Sequence, residues 1–307
     1  MLDELAAAIA RHGSDMWSDT AVPGQRLVTL EELSAPLDLL YEPMICFIVQ
    51  GSKSSVAGER SWTVGRGQVF LNSLVLPVTA TFEEVPYRSA VLRLDGARLA
   101  ELLLELEPDG TDRPALSPAR SPARSGPDAA GPVTASMTPE IIDAVTRWVR
   151  LLDTPQDIRA LAGRFEMEIL YRLLGTALGP TLRHYTLADS PAARVRTAAR
   201  WICARFTEPL AVDEIAATAH MSTASLHRNF KAATGMSPLR FQKHLRLQEA
   251  RRLLLPGDTT AALVAEKVGY VSATQFNREY RRTYGLPPGQ DTARLRDRLT
   301  DAGGRAV

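Results

Sequence analysis

Residues 210–238 and 259–288 carry one pattern twice, and few folds can make use of such a pair. An offset of fifty lays Ser222 on Ser272, Leu226 on Phe276, Arg228 on Arg278, Phe230 on Tyr280, Gly235 on Gly285 and Pro238 on Pro288. Two copies are too few for a solenoid, whose repeats bury a continuous core only when several neighbours stack. Each copy has instead the makings of a short helix, a tight turn and a second helix.

In the first copy Val212, Ile215, Ala216 and Ala219 fall at i, i+3, i+4 and i+7, one apolar stripe on a short supporting helix. Asp213 and Glu214 stand in its first turn, where the helix dipole favours acids. His220 and Met221 make the turn, and Ser222 is placed to cap the next helix. That helix turns Leu226 and Phe230 inward and leaves Thr223, Ser225, His227, Arg228 and Lys231 on its other edge. The second copy repeats the scheme with Val264, Ala265 and Val268 inside, Gly269 at the turn, Ser272 as cap, and Phe276 with Tyr280 inward. Thr274, Asn277, Arg278 and Arg281 remain outside. Small polar groups, an amide or imidazole, and Arg are the side chains that reach base edges and phosphates in a DNA major groove. Exposed charge is commonly mere solvated decoration, and His227, Lys231 and Arg281 fit that reading as well. Arg228 and Arg278 rise above it because the repeat puts Arg in one outward slot twice.

Between the copies, residues 238–255 hold neither Gly nor Pro after Pro238 and predict one continuous helix of roughly 27 Å. It carries basic Arg240, Lys243, Arg246, Arg251 and Arg252. Its length would set the two outward edges about 34 Å apart, one DNA turn, so that they meet successive major grooves. Charge agrees with this. Residues 190–307 hold 19 Lys and Arg against 10 Asp and Glu, a balance of +9, whereas residues 1–189 hold 17 against 25, a balance of −8. The basic part suits phosphate neutralisation, with salt-sensitive binding. The acidic part is expected to stay off nucleic acid.

From Arg194 to Arg294 the chain resembles the AraC/XylS-type transcription regulators. The resemblance rests on residues 222–235 (STASLHRNFKAATG) with Ser237-Pro238, on 246–254 (RLQEARRLL) and on 264–270 (VAEKVGY). It implies a seven-helix DNA-binding domain with two helix-turn-helix units. Its base-contacting slots would fall on Thr223, Ala224, His227 and Arg228, then on Ala273, Thr274, Asn277 and Arg278. Two positions depart from the family. His220 stands where a turn Gly is usual, although His is enriched among non-Gly residues at positive φ. After Pro287-Pro288 the aromatic-Arg ending is replaced by Gly289-Gln290-Asp291, so the family is no guide to the end of the last helix.

At 307 residues and 45% hydrophobic, the chain can bury two cores of ordinary size. It has no run of about 18 apolar residues. Its N-terminus, MLDELAAAIARHG, is acidic and amphipathic, without a signal peptide's basic start. A cytoplasmic protein with no membrane partner is expected. Cys46 and Cys203 are too few and too far apart for a disulfide framework or a zinc site.

From Gln25 to Asp95 the pattern changes to short β-rich runs at 44–50, 53–57, 61–64, 69–76, 78–82 and 88–94, punctuated by Gly51, Gly58, Gly65, Gly67 and Pro86. These predict a small barrel or sandwich. Tyr41-Glu42-Pro43, Val49-Gln50-Gly51-Ser52-Lys53, Gly67-Gln68 and Leu76-Pro77-Val78 are similar to the N-terminal domain of one AraC-type subgroup, which implies a cupin-like effector barrel. Many cupins hold a metal through His, yet no His stands between His12 and His184. Neither a metal nor another cofactor is expected, nor an enzyme, since a nucleophile with its base and a Gly-rich phosphate loop are both missing. The interior would take a small apolar or aromatic ligand, its lining set by strand register. Cys46 is the candidate effector contact, as a reactive thiol. Against this, 44–49 (MICFIV) is a continuous apolar run in which a buried Cys is an inert small hydrophobe. Cys203 reads as core filling.

Residues 108–137 hold six prolines and few apolar groups, and predict a mobile surface loop. Two helices follow, one with Ile141, Ile142, Val145, Trp148, Val149 and Leu152, the next with Leu161, Phe165, Ile169 and Leu173. Their stripes suit intramolecular packing, or the homodimer contact that the family resemblance implies. The expected architecture is α+β in two domains. A cupin-like β-barrel with flanking helices occupies 1–107, then the Pro-rich loop 108–137, a helical dimerisation or linker region 138–189, and an all-α domain 190–296 with helix-turn-helix units at 210–235 and 260–285. The expected function is a ligand-responsive transcription regulator, its partners double-stranded promoter DNA, a small-molecule effector and RNA polymerase. The alternatives are a cupin-like enzyme fused to a DNA-targeting module and an architectural DNA binder that needs no ligand.

Overall fold

The computed structural model describes residues 1–33, 35–106 and 132–303, with side chains as far as residue 297. A helix, α1 (Leu2–His12), precedes the strands β1 (Trp17–Asp19), β2 (Gln25–Leu30), β3 (Leu37–Tyr41), β4 (Met44–Ala57), β5 (Arg60–Gly65), β6 (Gln68–Asn72) and β7 (Leu76–Arg93). After helix α2 (Gly96–Glu105) comes β8 (Val133–Ser136). All pair antiparallel in one sheet of order β1-β2-β7-β4-β6-β8, with β3 on β7 and β5 on β4. The two long strands change neighbours along their length. β4 pairs first with β6 and then with β5, while β7 pairs first with β3 and then with β2. A strand that serves two partners in turn has to bend between them, so the sheet wraps about an interior. This wrapped antiparallel sheet stands where the sequence places its β-rich domain.

The expected runs 44–50 and 53–57 are one strand, as are 78–82 and 88–94, and the run 69–76 is divided between β6 and β7. β8 falls within the expected loop 108–137, because Val133 to Ser136 find a ladder on Leu71 to Gln68. The rest of that loop, up to residue 131, lies outside the described residues.

Alternation decides what each side of the sheet meets. Ile45, Phe47 and Val49 enter one core with α1 and the helices that follow β8, while Cys46 and Ile48 face the wrapped interior. Register shifts between Ile48 and Lys53 then reverse the parity, which brings Lys53, Ser55 and Ala57 inside and leaves Val56 47% exposed. Gly51 carries the irregularity at φ +72°, and a Cβ there would run into the Glu84 carbonyl.

The helices packed on the sheet's other face are α3 (Pro139–Arg150), α4 (Ile158–Leu174) and α5 (Gly179–Thr186). Thr138 caps α3, with Pro139 in its first turn. Of the apolar stripes named above, Ile141, Val145, Trp148, Val149, Ile169 and Leu173 are wholly buried in this core, while Leu152, Leu161 and Phe165 are partly exposed. The expected linker 179–191 contains a helix, α5, whose Leu182 belongs to the same core.

Seven helices follow in the described C-terminal part: α6 (Pro191–Ala204), α7 (Val212–Thr218), α8 (Thr223–Thr234), α9 (Pro238–Leu254), α10 (Ala261–Lys267), α11 (Ala273–Tyr284) and α12 (Pro288–Gly303). The expected central helix is α9, and its basic residues are put to structural use. The Arg246 guanidinium donates to the carbonyls of Phe206 (2.6 Å), Glu208 (2.8 Å) and Gly269 (2.8 Å), tying the loop before α7 to the turn after α10. Lys243 meets Glu279 of α11 at 2.8 Å. Arg251 holds Asp291 of α12 at 2.8 Å and Asp38 of β3 at 3.0 Å. Asp291 also accepts the Tyr280 hydroxyl at 2.9 Å. The departure from the family at the chain's end is thus a structural one, because Asp291 is the buried acid that seats the last helix. Asp291→Ala should lower stability by about 2 kcal/mol, since it removes two hydrogen bonds from the Arg251 guanidinium, which keeps Asp38, and leaves the buried Tyr280 hydroxyl without its acceptor. Urea unfolding followed by helical circular dichroism measures this; a loss below about 0.5 kcal/mol would show that the joint is idle.

Candidate nucleic-acid interface and effector cavity

Both repeats are built with the same devices. In the first, His220 turns the chain at φ +52°, the Ser222 hydroxyl accepts the Ser225 amide at 3.3 Å, and Gly235 closes α8 at φ +74°. In the second, Gly269 turns at φ +88°, the Ser272 hydroxyl accepts the Gln275 amide at 3.3 Å, and Gly285 closes α11 at φ +80°. Left-handed residues before and after a capped helix fix its direction to within one turn at each end. Leu226, Phe230, Phe276 and Tyr280 are wholly buried beneath.

Thr223, Ala224, His227, Arg228 and Lys231 on α8 are all exposed, as are Ala273, Thr274, Asn277, Arg278 and Arg281 on α11. On each helix they form one polar edge opposite the buried pair. Arg228 is steadied from within its own helix by the Ser225 hydroxyl at 3.5 Å. Beneath α11, Glu279 is buried, and burial alone would raise its carboxyl. Hydrogen bonds from Lys243, Gln275 and Tyr270 outweigh that and hold it below the usual carboxylate range. The cation and the carboxylate therefore stay paired, which braces the second outward edge from below.

Lys231 has a partner that the sequence reading missed. The turn between β4 and β5 docks against the end of α8, where Glu59 pairs with Lys231 at 3.1 Å and with Arg240 at 3.4 Å. The Glu59 amide donates to the Gly235 carbonyl at 3.2 Å, and the Arg60 guanidinium donates to the carbonyls of Ala232 and Ala233. A cation belongs at that end of a helix, where carbonyls lack intrahelical partners. Gly58 sits there at φ +59°, and a Cβ on it would collide with Met236 and the Gly235 backbone. No local signal marks Glu59, because its partners lie about 170 residues away.

The wrapped interior opens as a cavity of about 560 Å³. Val28, Leu39, Tyr41, Met44, Lys53 and Val91 line it, and Asp19, Arg26, Glu42 and Arg93 stand around it nearer the surface. Lys53 is only 4% exposed. Its Nζ lies 3.9 Å from the Cys46 Sγ and faces the rings of Tyr41 (5.2 Å), Tyr87 (5.7 Å) and Phe70 (5.9 Å). Burial works against its charge. Cys46, Tyr41 and Tyr87 act the other way and carry the net direction upward. None of the ion pairs among the described residues includes it.

Cys46, the effector contact considered from the sequence, is wholly buried behind Lys53 and is not part of the cavity wall. The signal for Lys53 was present, a lone charge in a β-rich run. Its inward direction depends on the parity change at Gly51, which local alternation does not reveal. Cys203 is core filling, and burial pushes its thiol up to about 12. Among the described residues no helix is long and apolar enough to cross a membrane.

Known proteins bear on both halves. The AraC-type transcriptional regulator N-terminus family matches residues 21–181, more than half of the chain, and a helix-turn-helix domain family matches residues 215–294. The transcriptional regulator MtrA of Neisseria gonorrhoeae is 40% identical over 79 residues, 26% of each chain. The transcriptional activator RhaS of Klebsiella pneumoniae (strain 342) is 30% identical over 146 residues, 47% of this chain and 50% of RhaS. The chain therefore spans half or less of the length of these curated relatives. The apo crystal structure of ToxT K231A from Vibrio cholerae shares the fold over 93% of this chain and 100% of ToxT, with a TM-score of 0.50 and 13% identity. With one family covering the sheet and its helices and the other covering the paired reader helices, this chain belongs to the AraC-type transcriptional regulators.

Proposed function

We propose that this chain is a sequence-specific DNA-binding transcription regulator whose N-terminal part, residues 1–189, responds to a small-molecule effector and whose residues 190–296 bind promoter DNA. The observation that carries the reading is the pair of identically capped helices that present Thr223, Ala224, His227, Arg228 and Lys231, and Ala273, Thr274, Asn277, Arg278 and Arg281, to solvent. RhaS is named an activator, which favours activation, and hence contact with RNA polymerase, as the output.

Effector control needs a ligand that favours one arrangement of the two parts over another. β3 supplies the mechanical link, because its Leu39 and Tyr41 wall the cavity while its Asp38 holds Arg251 of α9. Beside it, Gln248 of α9 donates to the Val78 carbonyl of β7 at 3.0 Å. A ligand that pushes on this wall changes the footing of the DNA-binding half. The cavity favours this reading over an architectural binder.

Arg228→Ala or Arg278→Ala should each cost about 1–3 kcal/mol at a site selected from a random duplex library. A base-reading Arg will relax preference at one base pair, and a phosphate-binding one will weaken every sequence alike and flatten the salt dependence. Anisotropy titrations decide, and unchanged affinity in both variants would refute the docking face. Glu59→Gln should raise non-specific DNA affinity roughly two- to fivefold at low salt, the effect of releasing an exposed ion pair. The gain should shrink at high ionic strength, and a gain that persists there would point to a cause other than charge.

A further inference from the structure

We propose that the joint between α9 and the sheet is a proton-operated latch, which neutral His244 leaves closed and protonated His244 loosens. This goes beyond the proposed function, because the joint can be followed without DNA or effector.

Arg240, His244, Gln248 and Arg251 recur along α9 at intervals of four, four and three residues, and so form one polar stripe on its face toward the sheet. Three of the four reach across. Arg240 meets Glu59 of the turn between β4 and β5 at 3.4 Å, Gln248 donates to the Val78 carbonyl of β7 at 3.0 Å, and Arg251 meets Asp38 of β3 at 3.0 Å. His244 stands within this row and is the exception. Its Nε2 is enclosed and has no hydrogen-bond partner among the described residues. A neutral imidazole there forgoes one hydrogen bond, whereas an imidazolium adds an enclosed charge with nothing to accept its proton.

The surroundings compensate a proton poorly. Asp38 is the acid that acts on His244 from the sheet, and both its oxygens are taken, Oδ1 by the Thr79 hydroxyl at 2.8 Å and Oδ2 by Arg251. Glu59 is shared between Arg240 and Lys231 of α8. From α12, Asp291 is held by Arg251 and Tyr280, and from α11 the Tyr284 phenol is kept neutral by burial. On α9 itself Arg240 opposes a further positive charge. Burial is the largest influence and holds the imidazole below its usual range, with Asp38 pulling the other way and Arg240 adding to the effect. A base that binds its proton less well in the closed joint takes one up on opening. The closed joint is therefore at full strength above the ordinary histidine value of about 6.5 and weakens as pH falls through it.

The test is hydrogen exchange of the full-length protein at about pH 7.5 and about pH 5.5, the lower value lying above the ordinary carboxylate range, with each rate corrected for the amide's intrinsic rate. The Glu59 amide reports the joint, because its bond to the Gly235 carbonyl at 3.2 Å crosses from the sheet to the helical half. The Trp148 amide, in the core on the sheet's other face, is the internal control. Protection at Glu59 should fall about fivefold on acidification, within the roughly tenfold that uptake of one proton allows at this pH, while Trp148 stays unchanged. His244→Gln and His244→Leu should each abolish the fall at Glu59. The comparison of the two amides uses the native protein, so it stands even if a variant fails to fold. Constant protection at Glu59, or an equal fall at Trp148, would overturn the latch. So would a fall that survives in both variants, since they keep the other four histidines and the cause would lie among those or elsewhere.

Discussion

The guanidinium of Arg251 joins three parts of the molecule at one point. It lies on the central helix, grips Asp38 on a strand of the sheet and Asp291 on the last helix, and stacks over the Tyr284 ring at 4.3 Å. Both carboxylates are almost wholly buried, so removing either takes from the guanidinium hydrogen bonds that water cannot easily replace. The geometry is demanding for that reason. One planar cation satisfies two acids, one from the sheet and one from the last helix.

The two readers are held in different ways. The first helix-turn-helix unit shares an apolar cluster with the inner face of the sheet, which includes Ala57, Phe230, Met236 and Phe241. The second has a small core of its own, formed by residues such as Leu247, Val264, Phe276 and Tyr280, and meets the sheet through polar groups. Separating an apolar seam exposes surface at a cost proportional to its area, whereas a polar joint can be exchanged for water or for another ion. The second unit is thus joined to the sheet by polar contacts, Arg251 with Asp38 among them.

Inside the sheet, one irregularity has chemical consequences. Without the shifts about Gly51 the alternation of β4 would carry on unbroken, and Lys53 would face outward with the residues that flank Cys46. With the shifts, a cation is committed to an interior that has aromatic faces, a thiol and space, but no carboxylate paired with it.

The paired readers were legible from residues alone because everything that builds them is local. Caps, left-handed turn positions and the inward pairs Leu226 with Phe230 and Phe276 with Tyr280 all act within a few residues, and the repeat states each of them twice. Glu59 on Lys231, Asp291 under Arg251 and Lys53 in the cavity were not legible. Each depends on partners brought together by strand register or by packing between elements distant in the chain. Sequence by itself thus determined the helices, their outward edges and the charge that suits them to phosphate. Tertiary structure decided which charges remain outside, which are consumed as internal joints, and which one is turned into the sheet, because burial and pairing are properties of the assembled fold and one shift of register reverses them.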